Sequence, residues 1–438
     1  SEYMHLDNSA CNLASLNLLK FLRPDGTFDV DAFKHTVELI FTAQEILVGY
    51  SEYPTASITK NAKAYRELGI GYANLGALLM AQGLPYDSEE GRAQAAAITA
   101  LMTGHSYATS ARIAKRVGPF AGYQKDKDSM QHVLEMHRDA VSSIDATLVS
   151  EELLTVASAA WDDAVDLAKK YGVRNSQASV LAPTGTIGLM MDCDTTGIEP
   201  DLGLMKMKKL VGGGTMSIVN QTVPRALQVL GYGKAQVEEI IAYIDIEKTI
   251  LGAPHLKSEH IPVFACSMGD NAIHYLGHVK MMSAVQPFLS GAISKTVNMP
   301  ESATVEDIEQ LHLEAWKLGL KAVAIYRDNC KVAQPLSMAK KEGSEKDAPS
   351  PTQQTVQTLN VGASSARRPL PKVRNSKTFS FTVADLHGYL IVGEYEDGKP
   401  GELFISVAKM GSTLAGLMES FGRSISYGLQ HGVPLKVY

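Results

Sequence analysis

Cysteine is scarce in this chain: four in 438 residues, at positions 11, 193, 266 and 330. No two stand at a CxxC or metal-ligand spacing. That excludes a disulfide-stapled secreted scaffold and points to a reducing cytosol, so a cytoplasmic location with free thiols is expected and any disulfide would be transient and catalytic. Twelve histidines form no HExxH and no paired metal spacing, so no metal is assigned. Long apolar runs are missing too: Ile40-Phe41 and Ile46-Leu47-Val48 are interrupted by Thr42, Gln44 and Glu45, too soon for a membrane span. No signal peptide is recognisable, and in place of an initiator Met the chain opens on Ser1-Glu2-Tyr3. Positive charge is not in excess. A formal net charge of -6 argues against electrostatic capture of nucleic acid, and no duplex-binding module is present.

What the chain has is apolar bulk. With 45% hydrophobic residues it can bury a large core, and its length suggests two or more domains. After Asp31 the residues Phe33, Val37, Ile40 and Phe41 recur at helical spacing and give one buried stripe. Asp87 with Glu90 reads as a capping box opening a helix that runs to Arg116 and stops at Gly118-Pro119. A further helix is expected over residues 156–171, ended by Gly172, and residues 178–182, short, β-rich and bounded by Pro183, read as a buried strand. The same helix-then-strand order recurs at 312–320 and 321–326, which favours an α/β sheet or barrel. Residues 336–376 are polar and poor in apolar periodicity, a disordered linker by composition. From Lys377 to Tyr438 a small α+β domain resumes, with a β-rich run at 378–383, a glycine turn through 395–398 and an apolar helix over 413–429.

Two stretches carry chemistry. One is Asp7-Asn8-Ser9-Ala10-Cys11-Asn12-Leu13-Ala14-Ser15-Leu16-Asn17-Leu18. The other is Pro183-Thr184-Gly185-Thr186-Ile187-Gly188, at the end of the expected strand. Glycine and hydroxyl side chains there lead into an apolar segment that can begin a helix, leaving backbone N–H groups free for an anion such as a diphosphate. It is neither a Walker loop nor GxGxxG, and by pattern alone a plain strand-to-helix turn is the better reading. The wider run through Met191-Asp192-Cys193-Asp194-Thr195-Thr196-Gly197-Ile198-Glu199-Pro200 closely resembles the substrate-phosphate loop of the adenosylcobalamin-dependent (class II) ribonucleotide reductases. Ser290-Gly291-Ala292-Ile293-Ser294-Lys295-Thr296-Val297-Asn298-Met299-Pro300 and Ala324-Ile325-Tyr326-Arg327-Asp328 are similar to the same family.

The resemblance implies that residues 1–335 form the second half of the ten-stranded α/β barrel of that family. It also implies a reaction, the reduction of ribonucleotides, diphosphates by expectation, to 2′-deoxyribonucleotides with adenosylcobalamin as cofactor. In the family a loop Asn-x-Cys-x-Glu carries a thiyl-radical Cys and a catalytic Glu, so Ser1-Glu2 match its last two places and the radical Cys would precede Ser1. Glu2 is then the base on the ribose 3′-hydroxyl, Cys11 a redox thiol, and Ser1, Glu2 and Pro183, Thr184, Gly185, Thr186 and Ile187 the substrate contacts. Implied partners are the ribonucleotide, an N-terminal half of the same enzyme, possible through intein splicing because Ser can follow a splice point, and a thioredoxin-like or dithiol reductant. In class I enzymes two stacked tyrosines relay the radical; aligned on Arg327 their places here hold Ala324 and Ile325. A class I large subunit, another barrel radical enzyme and a non-catalytic nucleotide-binding module stand as alternatives. No cobalamin contact is named. Cys193, Cys266 and Cys330 read as packed or supporting thiols, and Gly212-Gly213-Gly214 as a flexible turn.

Overall fold

The computed structural model describes residues 5–209, 215–330, 367–383, 386–407 and 413–437, and these belong to two compact units divided between residues 344 and 345. The glycine run 212–214 and most of the expected linker lie outside the described residues.

The first unit is built on parallel strands whose return connections are helical. Strand β1 (Asn12–Asn17) pairs in parallel with β2 (Leu68–Ala73), the crossover being α1 (Val30–Tyr50) and α2 (Ala56–Tyr65). Then come α3 (Leu75–Ala81), α4 (Glu89–Val117), α5 (Tyr123–Ala140) and α6 (Glu151–Tyr171). Residues 178–182 follow, extended, with Ile70 bridging Ser179 and Leu181 bridging Ile293, both parallel. After the short α7 (Gly185–Met190), an antiparallel hairpin of β3 (Met205–Lys209) and β4 (Thr215–Val219) leads to α8 (Thr222–Val229), α9 (Lys234–Glu247) and α10 (Tyr275–Val285). Last, β5 (Thr296–Met299) pairs in parallel with β6 (Ala324–Arg327) across α11 (Val305–Lys317). Backbone bonds such as Val180 N to Ile70 O, 3.0 Å, and Ser294 N to Leu181 O, 2.8 Å, join these pieces into one open parallel array running from β1 to β6. This is α/β barrel architecture.

Side chains alternate across the array, and the two faces differ. Leu68, Ile70 and Tyr72 point outward into the helical layer, where α4 is buried on nearly all sides. Polar contacts stitch that layer to the strands: Tyr72 Oη to Thr99 Oγ1, 2.9 Å, and Thr103 Oγ1 to Ser179 Oγ, 2.9 Å. Helix packing is close because Gly104 of α4 faces the Trp161 indole, where a Cβ would stand 2.9 Å from the ring. The α4 cap is Ser88, whose hydroxyl accepts from Gly91 N; the expected Asp87–Glu90 box does not form, because Arg92 draws Asp87 into an ion pair at 2.6 Å.

The second unit is an antiparallel sheet of β7 (Ser376–Val383), β8 (Leu386–Glu394) and β9 (Pro400–Val407), with α12 (Thr413–Gln430) packed on β9. Gly422 lets that helix approach, since a Cβ there would meet Leu403 O at 2.8 Å, and Ser426 Oγ accepts from Leu403 N at 2.8 Å.

Candidate functional site

The inner face of the array begins at Cys11, immediately before β1. Residues 11, 13, 15 and 17 share that face by the two-residue period, and register sets Leu13, Ser15 and Asn17 beside Gly69, Gly71 and Ala73 of β2. The glycines keep the face thin. A Cβ on Gly69 would stand 2.7 Å from Cys11 Sγ and 2.5 Å from Leu13 Cδ2, and one on Gly71 would meet Val180 O at 2.3 Å. Leu13 is exposed, and the buried Ser15 hydroxyl has no hydrogen-bond partner among the described residues. Half-buried Cys11 lies 3.6 Å from Gln177 Nε2. Ser1 and Glu2 lie outside the described residues.

At the opposite, C-terminal end of the strands stands the loop 183–190. Thr184, with φ at +52°, not Gly185, takes the left-handed conformation, and its hydroxyl accepts from Gly197 N at 2.6 Å and donates to Pro183 O at 2.8 Å. The first helical bond of α7 is Gly188 N to Thr184 O, 2.8 Å; among the described residues nothing accepts from the N–H groups of Gly185, Thr186 and Ile187. A Cβ on Gly185 would meet nothing within 4 Å. The loop is therefore open on the side where its free N–H groups lie.

A buried amide network fixes that loop to β1 and β2. Asn74, left-handed at φ +69° and fully buried, donates from Nδ2 to Asn17 Oδ1 at 2.9 Å and accepts at Oδ1 from Thr195 N at 2.8 Å. Asn17 in turn donates to Met191 O at 3.1 Å. So Cys11 and Asn17, ends of the same strand face, mark the two ends of the site.

The far side of the loop is anchored by charge. Lys295, fully buried just before β5, sits 2.5 Å from Glu199 Oε2 and 2.8 Å from His278 Nδ1, and Glu199 Oε1 accepts from Thr296 N at 2.7 Å. Burial lowers the Lys295 pKa against the pull of Glu199, and burial followed by the Lys295 charge pushes His278 well below its usual value, so the imidazole is neutral. Tyr86 closes the cluster with Oη on Ile198 O, 2.8 Å.

Asn17, Glu199 and Lys295 lie inside quoted stretches that assign them no role of their own, and Asn74 and Gln177 lie outside every such stretch. Lys295 alone leaves a usable trace, one cation inside an otherwise uncharged run. Cys266 is buried, Cys193 half-buried and Cys330 exposed, so Cys330 is not packed as its residue type suggests. Ala324 and Ile325 sit half-buried on β6, and beyond them a cavity of about 580 Å³ is lined by Asn298, Tyr326, His274 and Tyr275. The buried Tyr326 hydroxyl has no partner among the described residues. No group of three or more His, Cys, Asp or Glu that could hold a metal occurs among the described residues, and no described helix is long and apolar enough to cross a membrane.

Comparison with known proteins agrees with this layout. A family model described as ribonucleotide reductase, barrel domain, matches residues 1–326, and one described as TSCPD domain matches residues 363–438. The chain is similar to proteins named vitamin B12-dependent ribonucleotide reductase from Streptantibioticus cattleyicolor (54% identical, covering 99% of this chain and 74% of that one) and Streptomyces avermitilis (52%, covering 100% and 46%). A third, of the same name, from Streptomyces coelicolor is 52% identical over 100% of this chain and 46% of its own. The chain spans about half the length of most of these relatives. With a match over three quarters of its length to the barrel domain, and the parallel array, inner-face cysteine and strand-end loop that go with it, the chain belongs to the ribonucleotide reductase family.

Proposed function

We propose that this chain is the C-terminal catalytic half of an adenosylcobalamin-dependent ribonucleotide reductase that converts ribonucleotides, diphosphates by preference, to 2′-deoxyribonucleotides in the cytoplasm. The observation that carries the reading is β1 itself, which has a cysteine at one end of its inner face and, at the other, an asparagine tied to a loop with three free N–H groups. Pro183, Thr184, Gly185, Thr186 and Ile187 hold the diphosphate by charge-assisted hydrogen bonds. Glu2 and Ser1 belong to the loop that meets the ribose, with Glu2 taking the 3′-hydroxyl proton as the 2′-hydroxyl leaves as water. Cys11 and a cysteine of the upstream half give two electrons and two protons and become a disulfide, which a dithiol or thioredoxin-like protein reduces again.

When bound, adenosylcobalamin supplies the radical that starts this chemistry. The residues present fit part of that group: the 580 Å³ cavity at the ends of β5 and β6 matches a nucleoside in size and offers the Tyr326 hydroxyl and the Asn298 amide as polar partners. Ala324 and Ile325 leave no tyrosine relay at these places. The domain plan that goes with the reading is a barrel half over 1–335, a linker over 336–376 and a small domain over 377–438.

The test joins this chain to the upstream half and assays deoxynucleotide formation with adenosylcobalamin and dithiol. Activity that requires the cofactor and falls by about a thousandfold or more in Cys11→Ser supports the reading; a Cys11→Ser enzyme turning over normally with dithiol overturns it.

A further inference from the structure

Thr184 is a β-branched residue held left-handed, φ +52°, immediately before the N–H groups of Gly185, Thr186 and Ile187. Threonine does not choose that backbone unaided, so its surroundings impose it. The contact at hand is the 2.6 Å bond that Thr184 Oγ1 accepts from Gly197 N. Gly197 belongs to a turn in which Glu199 N donates to Thr196 O at 2.9 Å, and it is itself left-handed at φ +51°, packed so closely that a Cβ would stand 2.8 Å from Ala182 O. Glu199 ends the turn and ties it to the start of β5, nearly a hundred residues on. Its Oε1 accepts from Thr296 N at 2.7 Å and its Oε2 from Lys295 Nζ at 2.5 Å.

We propose that Lys295 and Glu199 form a latch that holds the 196–199 turn against β5, so that Gly197 N keeps Thr184 left-handed and the three N–H groups beyond it in one row. The proposal rests on the reading of that row as the diphosphate site. Lys295 is a positioning residue and not a ligand contact. It is fully buried, and its three ammonium hydrogens match three acceptors: Glu199 Oε2, His278 Nδ1 at 2.8 Å and Thr296 O at 3.0 Å. The second bond of the carboxylate, from Thr296 N, fixes its rotation, so the turn is located in direction as well as distance. Tyr86 adds a restraint from the helical layer, donating from Oη to Ile198 O at 2.8 Å.

Stability alone is a poor reason for such a pair, because desolvating two charges costs about as much as their attraction returns. A pair that only stabilises and a pair that positions are separated by removing both charges together. Lys295→Met alone leaves the Glu199 carboxylate buried without its cation and harms the fold for that reason. Lys295→Met combined with Glu199→Leu removes the stranded charge, so stability should return close to wild type. The turn, however, has then lost both of its bonds to β5.

The experiment compares the wild type with the Lys295→Met/Glu199→Leu double variant in two ways. Hydrogen–deuterium exchange of peptides over 183–200 is followed in the full 438-residue chain, with peptides of α4 as internal comparator. Equilibrium dialysis then measures cytidine diphosphate binding by each chain joined to the upstream half. In the double variant the 183–200 peptides should exchange about tenfold faster or more while α4 is unchanged, and the diphosphate should bind roughly ten- to a hundredfold more weakly. KM should rise by the same factor with kcat within about threefold, since what is lost is uniform binding. Glu199→Gln, whose single carbonyl can serve either Lys295 or Thr296 N but not both, covers the case where the double variant does not fold and should shift both readouts less, in the same direction. Wild-type exchange over 183–200 in either folded variant overturns the latch. Because exchange needs no nucleotide, a loosened loop with unchanged diphosphate affinity would leave the latch standing and sink the phosphate reading separately.

Discussion

The two ends of the parallel array are built on different physical principles. At the C-terminal end, Asn74, Asn17 and Thr195 exchange hydrogen bonds in full burial, and Lys295 and Glu199 form an ion pair with further bonds to His278 and Thr296. What that end offers outward is a row of backbone N–H groups at Gly185, Thr186 and Ile187. At the N-terminal end, the buried Glu67 carboxyl, pushed up to about 7 by burial, lies 3.0 Å from His5 Nδ1, on the side of the half-buried Cys11 thiol. A diphosphate is recognised best by donors that need no reorganisation, whereas a thiol that forms and loses a disulfide needs surroundings that follow its proton. Strand β1 joins the two ends, so on the proposed reading one six-residue element sets the distance between the phosphate loop and the redox thiol.

The difference can be broken end by end. The largest effect belongs to Lys295→Met, which strands the Glu199 carboxylate inside the protein; urea unfolding should show a loss of about 3–5 kcal/mol. A loss below about 1 kcal/mol would make the ion pair incidental. Asn74→Ala removes two buried hydrogen bonds and forces alanine into a left-handed conformation, for about 2–4 kcal/mol. Asn74→Gly should recover the conformational share, and nucleotide binding should weaken in both; intact affinity would detach this network from the loop. Gly185→Val should leave stability nearly unchanged, because its backbone is not left-handed and its Cβ direction is open, yet weaken nucleoside diphosphate binding by roughly ten- to a hundredfold. Equilibrium dialysis decides it, and equal affinity would return the loop to a plain turn.

The smallest effect sharpens the N-terminal side. With its folded pKa raised from 4.5 to about 7, Glu67 contributes stability that is fully present below the unfolded value and is lost as pH rises through the folded one. Between pH 4.5 and 8 the wild type should therefore lose about 1–3 kcal/mol relative to Glu67→Gln. Parallel pH profiles for the two proteins would mean that His5 holds the carboxylate ionised after all.

How much of this was legible in the sequence follows the range of the contacts. The buried extended segment 178–182 and the turn into a short helix after it are local patterns, and the structure has both. Asn17, Asn74 and Thr195 are partners across 57 and 121 residues, and no local spacing announces them. Lys295 stands in a quoted run, but its ion pair with Glu199 spans 96 residues and only the fold brings the two together. Inside the loop the left-handed residue is Thr184 rather than a glycine, and its hydroxyl bridges Pro183 O and Gly197 N, a pairing that residue type alone does not announce. Asp87 lost the helix cap to Ser88 through Arg92, a competition between neighbours that residue preference alone does not resolve.

The central claim is that Cys11 delivers reducing electrons to a substrate gripped at the other end of its own strand. A single-turnover experiment tests it directly: the joined, prereduced enzyme is given adenosylcobalamin and a ribonucleoside diphosphate without external dithiol, quenched, and mapped for disulfides by mass spectrometry. The account predicts one Cys11-containing disulfide for each deoxynucleotide formed. Deoxynucleotide produced while Cys11 remains fully alkylatable would contradict it.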